Sequence, residues 1–292
     1  MNSVNMSFNG LRRLRSTALL LALAGLISPT LFVSQSVAVP EPVLLSQAAV
    51  PPRPEAVPEP NEPEMSGIVD LAEAETSLGI GYLRPEDISF LENPEENASQ
   101  LEAGWLQAIE LPLYITPDGD HWGWLLDGWL IPNGQSAFAI GRDASFAMVR
   151  TQPSLMAFPV LEVRDDGWMR VQYTATGSAW THTSYLALGD QPLMFEPWGD
   201  WLSSSKQLKF RTEDNAQVLR SQPELSRNVI TLVRNDSLIE PLEVNGDWIR
   251  VRVTRPVSGC QPLSGANIEE GWMRWRSDAG EMTMWQSTES CQ

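Results

Sequence analysis

The chain has 292 residues and carries 20 Lys+Arg against 37 Asp+Glu, a formal net charge of −17. A chain this acidic lacks the basic surface that a nucleic-acid partner needs, and it is poorly suited to docking on anionic lipid. The charge fits cationic partners, or simply keeps copies apart in solution.

The first 38 residues read as a secretory signal peptide. Arg12, Arg13 and Arg15 form a positive n-region, and Thr17 to Val33 is mostly apolar. Ser36-Val37-Ala38 supplies small residues at the −3 and −1 positions of a cleavage near Ala38. An uncleaved anchor is the alternative, but Pro29 interrupts the apolar run, which is short against the ~20 residues of a span. Cleavage leaves 17 Lys+Arg against 37 Asp+Glu, a formal charge of −20. The expected product is exported, periplasmic or extracellular, with no stable membrane insertion after cleavage.

Residues 39–65 hold eight prolines and five glutamates. Pro51-Pro52-Arg53-Pro54 and Pro58-Glu59-Pro60 read as a disordered, extended linker that provides reach but no core. Residues 66–101 read as a partly ordered arm. Asp70-Leu71-Ala72-Glu73-Ala74-Glu75 suits a short helix. Pro85-Glu86-Asp87-Ile88 suits a helix start, because proline fits the first turn and acids fit its positive end. Gly79, Gly81 and Pro94 keep any helix there short.

From Glu102 onward the pattern is that of an all-β chain. All 12 tryptophans lie between Trp105 and Trp285, several in a Gly-Trp-apolar setting such as Gly123-Trp124-Leu125 and Gly271-Trp272-Met273. Met169, Val171 and Tyr173 alternate with Trp168, Arg170 and Gln172, and Ile249, Val251 and Val253 alternate with Trp248, Arg250 and Arg252. That period of two predicts strands. Pro117-Asp118-Gly119-Asp120, Pro132-Asn133-Gly134, Asp165-Asp166-Gly167 and Asn245-Gly246-Asp247 predict the turns between them.

One stretch is written twice. Met148-Val149-Arg150-Thr151-Gln152-Pro153-Ser154-Leu155 returns as Val218-Leu219-Arg220-Ser221-Gln222-Pro223-Glu224-Leu225, which implies a duplicated β module. Residues 102–190 form the first module with its Trp-rich N-terminal segment, and residues 205–292 the second. The second copy carries an insertion around Arg234-Asn235-Asp236-Ser237, expected as a loop or an added hairpin. It has a further insertion around Cys260, Pro262 and Gly265. Cys260 and Cys291 are the only cysteines. In an exported chain such a pair reads as a structural disulfide, contributing ~3–4 kcal/mol in the chain-entropy picture. Neither cysteine has a close partner at zinc-ligand spacing.

These residues resemble bacterial SH3-like (SH3b) modules. The shared pattern in the first copy is Arg150-Thr151-Gln152-Pro153, Leu161-Glu162-Val163, Gly167-Trp168-Met169-Arg170-Val171 and Ala179-Trp180-Thr181. In the second it is Arg220-Ser221-Gln222-Pro223, Leu242-Glu243-Val244, Asp247-Trp248-Ile249-Arg250-Val251 and Gly271-Trp272-Met273. The resemblance implies tandem small SH3-like barrels. It also implies a non-catalytic role in the cell envelope, recognising cell-wall glycan or peptide or holding an envelope protein in place.

Two groups are candidates for ligand contact. Trp168 with Arg170, and Trp248 with Arg250 and Arg252, are expected on outward strand faces, where an indole beside a guanidinium can stack on a sugar or peptide. The opposing expectation is that each Trp lies flat over a barrel edge. The second group is Tyr114, His121, Trp122, Trp124 and Trp129, an aromatic groove or simply core. Asp118-Gly119-Asp120, with Asp127, faintly resembles a calcium loop, but a hairpin turn explains it equally. No metal and no cofactor are expected. No G-x-S-x-G, H-E-x-x-H or P-loop motif is present. A cell-wall hydrolase using paired carboxylates and a pure protein–protein scaffold stand as alternatives.

Overall fold

The structure is a computed structural model that describes residues 49–59, 62–71, 78–211, 216–226 and 228–287. The segment 1–38 expected as a signal peptide, Cys291 and most of the helix expected at 70–75 lie outside the described residues. The all-β expectation holds, with one short α-helix among the described residues.

The strands in chain order are β1 (Ile68–Asp70), β2 (Gly81–Pro85), β3 (Glu110–Tyr114), β4 (His121–Leu126), β5 (Trp129–Pro132) and β6 (Phe138–Ala139). There follow β7 (Phe146–Gln152), β8 (Leu155–Val163), β9 (Trp168–Gln172), β10 (Ser178–His182) and β11 (Leu193–Pro197). Helix α1 (Trp198–Ser204) leads into β12 (Leu208–Phe210), β13 (Ala216–Arg220), β14 (Val229–Arg234), β15 (Leu238–Asn245), β16 (Trp248–Ser258), β17 (Gln261–Arg274) and β18 (Met284–Gln286).

The first sheet runs β1-β7-β8-β9-β10-β3-β4-β5-β6, with β2 pairing both β8 and β11 beside this path. The second runs β14-β13-β17-β16-β15-β12-β18. The duplication is visible in the strand registers. In the first copy Val160, Glu162 and Val163 face Val171, Arg170 and Met169, with an irregularity between Val160 and Glu162. In the second, Pro241, Glu243 and Val244 face Val251, Arg250 and Ile249, with an irregularity at the same place. Trp180 lies opposite Arg170 just as Trp272 lies opposite Arg250.

The inserted residues in the second copy divide one strand into two. In the first copy β8 pairs with β7 along its first half and with β9 along its second. In the second copy β14 takes the first role and β15 the second, and the turn at Asn235-Asp236-Ser237 separates them. The other insertion lengthens β16 and β17 into an exposed hairpin with Cys260 near its tip.

Two large cores fill the fold. One lies within the first sheet and gathers Leu111, Leu113, Leu125, Phe146, Phe158 and Met169. The other is shared between the two modules. It joins Leu78, Tyr82, Val149 and Ala157 to Trp198, Trp201, Leu208, Ile249, Val251 and Met273. Helix α1 is the joint. Trp198 packs at 4.7 Å from Tyr82 and 5.5 Å from Trp201, and Trp201 lies 4.5 Å from Trp285. The two indole N–H groups of the helix are also satisfied, Trp198 Nε1 donating to the Leu78 carbonyl at 3.0 Å and Trp201 Nε1 to that of Thr151 at 3.1 Å. A buried Trp needs such a partner, because an unpaired N–H in the core is costly.

Two segments are more ordered than their composition suggested. Residues 66–101 supply strands as well as short 3-10 turns. Strand β1 adds in parallel to β7, and β2 is almost wholly buried between β8 and β11. Gly81, read as a helix breaker, is needed for strand pairing: a Cβ there would meet the Glu196 carbonyl oxygen at 2.3 Å. The described part of the Pro-rich segment is likewise not a free linker. It lies against the first sheet, and at its far end Glu64 forms an exposed pair with Arg142 at 3.1 Å.

Candidate aromatic groove

Strands β3, β4 and β5 extend the first sheet beyond β10, and their two faces have different fates. Leu111, Leu113, Leu125 and Leu130 point into the core. The opposite face carries Glu110 and Pro112 on β3, Trp124 and Leu126 on β4, and Trp129 and Ile131 on β5. The register places Glu110 opposite Leu126, Pro112 opposite Trp124, Trp124 opposite Ile131 and Leu126 opposite Trp129. Asp127 and Gly128 make the two-residue turn between β4 and β5, with φ of 49° and 76°. Two positive φ angles in sequence suit a tight hairpin whose twist matches its strands.

The Pro-rich segment crosses this outer face. Trp124 Nε1 donates to the Pro52 carbonyl at 3.2 Å, and Trp129 Nε1 donates to the Glu59 carbonyl at 2.8 Å. Arg53 pairs with Glu110. Upstream, Tyr185 donates to the Ala49 carbonyl at 3.3 Å. Pro51 and Pro54 are half-buried, while the residues between them are exposed. A spacing of three returns the same side of a polyproline II turn to one surface. The described segment therefore lies with one prolyl edge toward the sheet, its carbonyls toward indole N–H groups and its one cation toward an acid.

The acid is not isolated. Glu110 is raised above its ordinary value by burial, and Arg53 opposes that rise while Asp127 and Asp190 reinforce it. Asp127 is raised by burial too, again opposed by Arg53 and reinforced by Asp190. Three carboxylates thus share one locality, and the Arg53 guanidinium offsets their mutual repulsion.

Behind this surface the aromatic rings form a chain of edge contacts. Tyr114 is buried and lies 5.3 Å from His121 and 5.1 Å from Trp168, and it stacks on Tyr185 at 6.1 Å. The Tyr114 and Tyr185 hydroxyls are 3.2 Å apart, and burial with that hydrogen bond pushes the Tyr114 phenol up. His121 touches Trp124 at 5.6 Å. Burial lowers its pKa, which favours the neutral ring. Trp122 is half-buried and packs on Tyr173 at 5.5 Å. Of the five aromatic residues singled out in sequence, Trp124 and Trp129 reach the Pro-rich segment, Tyr114 and His121 stand behind them, and Trp122 packs elsewhere.

Trp168 is not on an outward face and is corrected to a core residue. It is 3% exposed, it donates to Asp118 Oδ1 at 3.2 Å, and His182 packs on it at 5.3 Å. Alternation assigns a residue to a side of a strand, but cannot say whether another segment covers that side. Here the β3–β4 turn does. Arg170 is half-buried, lies over Trp180 at 5.9 Å and pairs with Glu162 at 3.5 Å. On the second copy the outward pattern is present. Trp248 is half-buried, and Arg250 and Arg252 are exposed. Their charges are matched: Arg250 pairs with Glu270 at 3.1 Å, Arg252 pairs with Glu270 at 3.0 Å, and Arg274 covers Trp248 at 5.8 Å.

Asp118 is engaged by Trp168, and Asp127 belongs to a hairpin turn. Among the described residues no group of three or more His, Cys, Asp or Glu is arranged to hold a metal ion. None of the described helices is long and apolar enough to cross a membrane. Reasoning from sequence missed Arg53, Glu110 and Asp190. The available signal was Pro51-x-x-Pro54 beside an arginine, in a chain also rich in tryptophan and acid. No protein-family model and no curated protein matches the chain.

Proposed function

We propose that this is an exported, non-catalytic binding or scaffolding protein of the cell envelope, built on two SH3-like modules, with the outer face of β3–β5 as its recognition surface. The observation that carries the reading is the pair of indole N–H donors on Trp124 and Trp129, both directed at main-chain carbonyls of an extended segment. Donors that read carbonyls and an apolar face that reads prolyl edges are the means of peptide recognition. The shared registers of the two copies support their reading as a duplicated module. In this reading Cys260 and Cys291 form a disulfide that holds the C-terminal end to the long hairpin.

The test is retention of the purified protein on isolated cell wall, with Trp129→Ala and Trp248→Ala variants alongside. Loss of retention in Trp129→Ala alone is expected. Equal retention of all three proteins would sink the assignment of the recognition surface, and cell-wall lysis on a zymogram would replace it with a hydrolase.

A further inference from the structure

We infer that the outer face of β3–β5 is a polyproline II acceptor site for an arginine-bearing, proline-rich segment of a partner protein, and that residues 49–59 of this chain occupy it in cis. The inference rests on the binding role proposed above and names the class of ligand.

The groove and the segment are complementary. A polyproline II strand has no internal hydrogen bonds, so its carbonyls are free to accept. The groove supplies two indole donors at positions reached by Pro52 and Glu59. Such a strand turns once in three residues, and the two half-buried prolines, Pro51 and Pro54, have that spacing. The floor between the donors is apolar, formed by Trp124, Leu126 and Ile131. At one end Glu110, Asp127 and Asp190 leave an excess of negative charge that a single guanidinium, that of Arg53, relieves. These features specify a ligand: extended, proline-rich and carrying one arginine.

The chain's own segment meets that specification, yet it makes few contacts. Arg53 keeps 57% of its side chain exposed in its ion pair with Glu110, and such pairs contribute little individually. Covalent attachment makes up for weak contacts by raising the local concentration. A partner segment with better contacts can therefore displace it. A second copy of this chain is a poor source, because two chains of net charge −17 repel each other. A basic partner has no such penalty.

The experiment uses the full-length protein and a fluorescein-labelled synthetic peptide spanning residues 49–59. The triple variant Pro51→Ala, Arg53→Ala, Pro54→Ala vacates the groove, and all three positions lie in a surface segment outside both cores. Fluorescence anisotropy is expected to show the triple variant binding the peptide at least tenfold more tightly than the unsubstituted chain does. Adding Glu110→Gln to the variant, or placing Arg53→Glu in the peptide, is expected to weaken binding at least tenfold. The single variant Arg53→Glu gives a second, milder release of the groove and is expected to gain peptide affinity in the same direction.

Absence of peptide binding by both released variants would overturn the inference, as would binding indifferent to Glu110→Gln. A concentration-dependent dimer of the unsubstituted chain in sedimentation, abolished by Arg53→Glu, would assign the occupant to a second copy and overturn the partner assignment. Cell-wall retention of the same variants separates the two proposals. Peptide capture without retention would overturn the envelope role and leave the acceptor site standing, and retention without capture would do the reverse.

Discussion

The two copies of the repeat share their three central strands and differ in what closes them. In the second copy β17 pairs with β13, the first strand of its own repeat, through Arg220 opposite Trp272. In the first copy the matching partner of β10 is β3, with Tyr114 opposite Trp180. Strand β3 comes from outside the repeat and brings β4, β5 and β6 with it. The first copy's own opening strand, β7, lies on the far side and pairs with β1 and β8. The aromatic groove therefore sits on strands that one copy has and the other lacks. Conserving the three-strand centre preserves a fold, whereas adding strands at its edge creates a new face.

A substitution at the joint between the copies is expected to have the largest effect. Trp198 is fully buried between the copies, and Trp198→Ala is expected to cost ~3–5 kcal/mol, read by chemical denaturation. Because the second core draws on both copies, the unsubstituted chain is expected to unfold in one transition. Two separate transitions would make the copies independent units.

A second test compares equivalent tryptophans. Trp168→Ala removes a buried side chain and is expected to cost ~3–5 kcal/mol. Trp248→Ala removes a half-covered one and is expected to cost about 1–2 kcal/mol. Equal losses would contradict the difference in covering that separates the two copies.

The groove itself yields a smaller effect. Trp129→Phe keeps a ring but loses the N–H donated to Glu59, an expected ~0.5–1.5 kcal/mol with earlier proteolysis of the Pro-rich segment. On the second copy, Arg250→Ala and Arg252→Ala remove exposed ion pairs and are each expected to cost below ~1 kcal/mol.

The finest test is a titration. Burial holds Glu110 above its ordinary value, so the folded state binds this proton more tightly than the unfolded chain. The stability this contributes is present below the unfolded value and is lost as pH rises through the folded one. Arg53 lowers the Glu110 value. Arg53→Ala is expected to raise it further and shift that loss to higher pH, with Asp127 moving the same way. Carboxyl chemical shifts followed against pH would show both. No change at Glu110 would place Arg53 outside the acidic pocket.

Much of the second copy was legible in the residues. Ile249, Val251 and Val253 are fully buried and alternate with Trp248, Arg250 and Arg252 on the other side, as period two requires. The same reasoning failed at Trp168, because the segment covering it is distant in sequence. It also missed the packing of the described part of the Pro-rich segment, whose composition describes a chain unable to build its own core. Composition cannot register that another part of the molecule offers a surface to lie on.

The order of residues alone sets the β class, the duplication and the strand faces, because these follow from local periodicity and from a repeated pattern. It also determined that an acidic, tryptophan-rich region stands before the repeat. Folding in three dimensions is what sets which strand closes each copy, that α1 fuses the copies through one core, and that Arg53 meets Glu110 across 57 positions. Those outcomes depend on long-range pairing and on competition for surfaces, which no local pattern encodes.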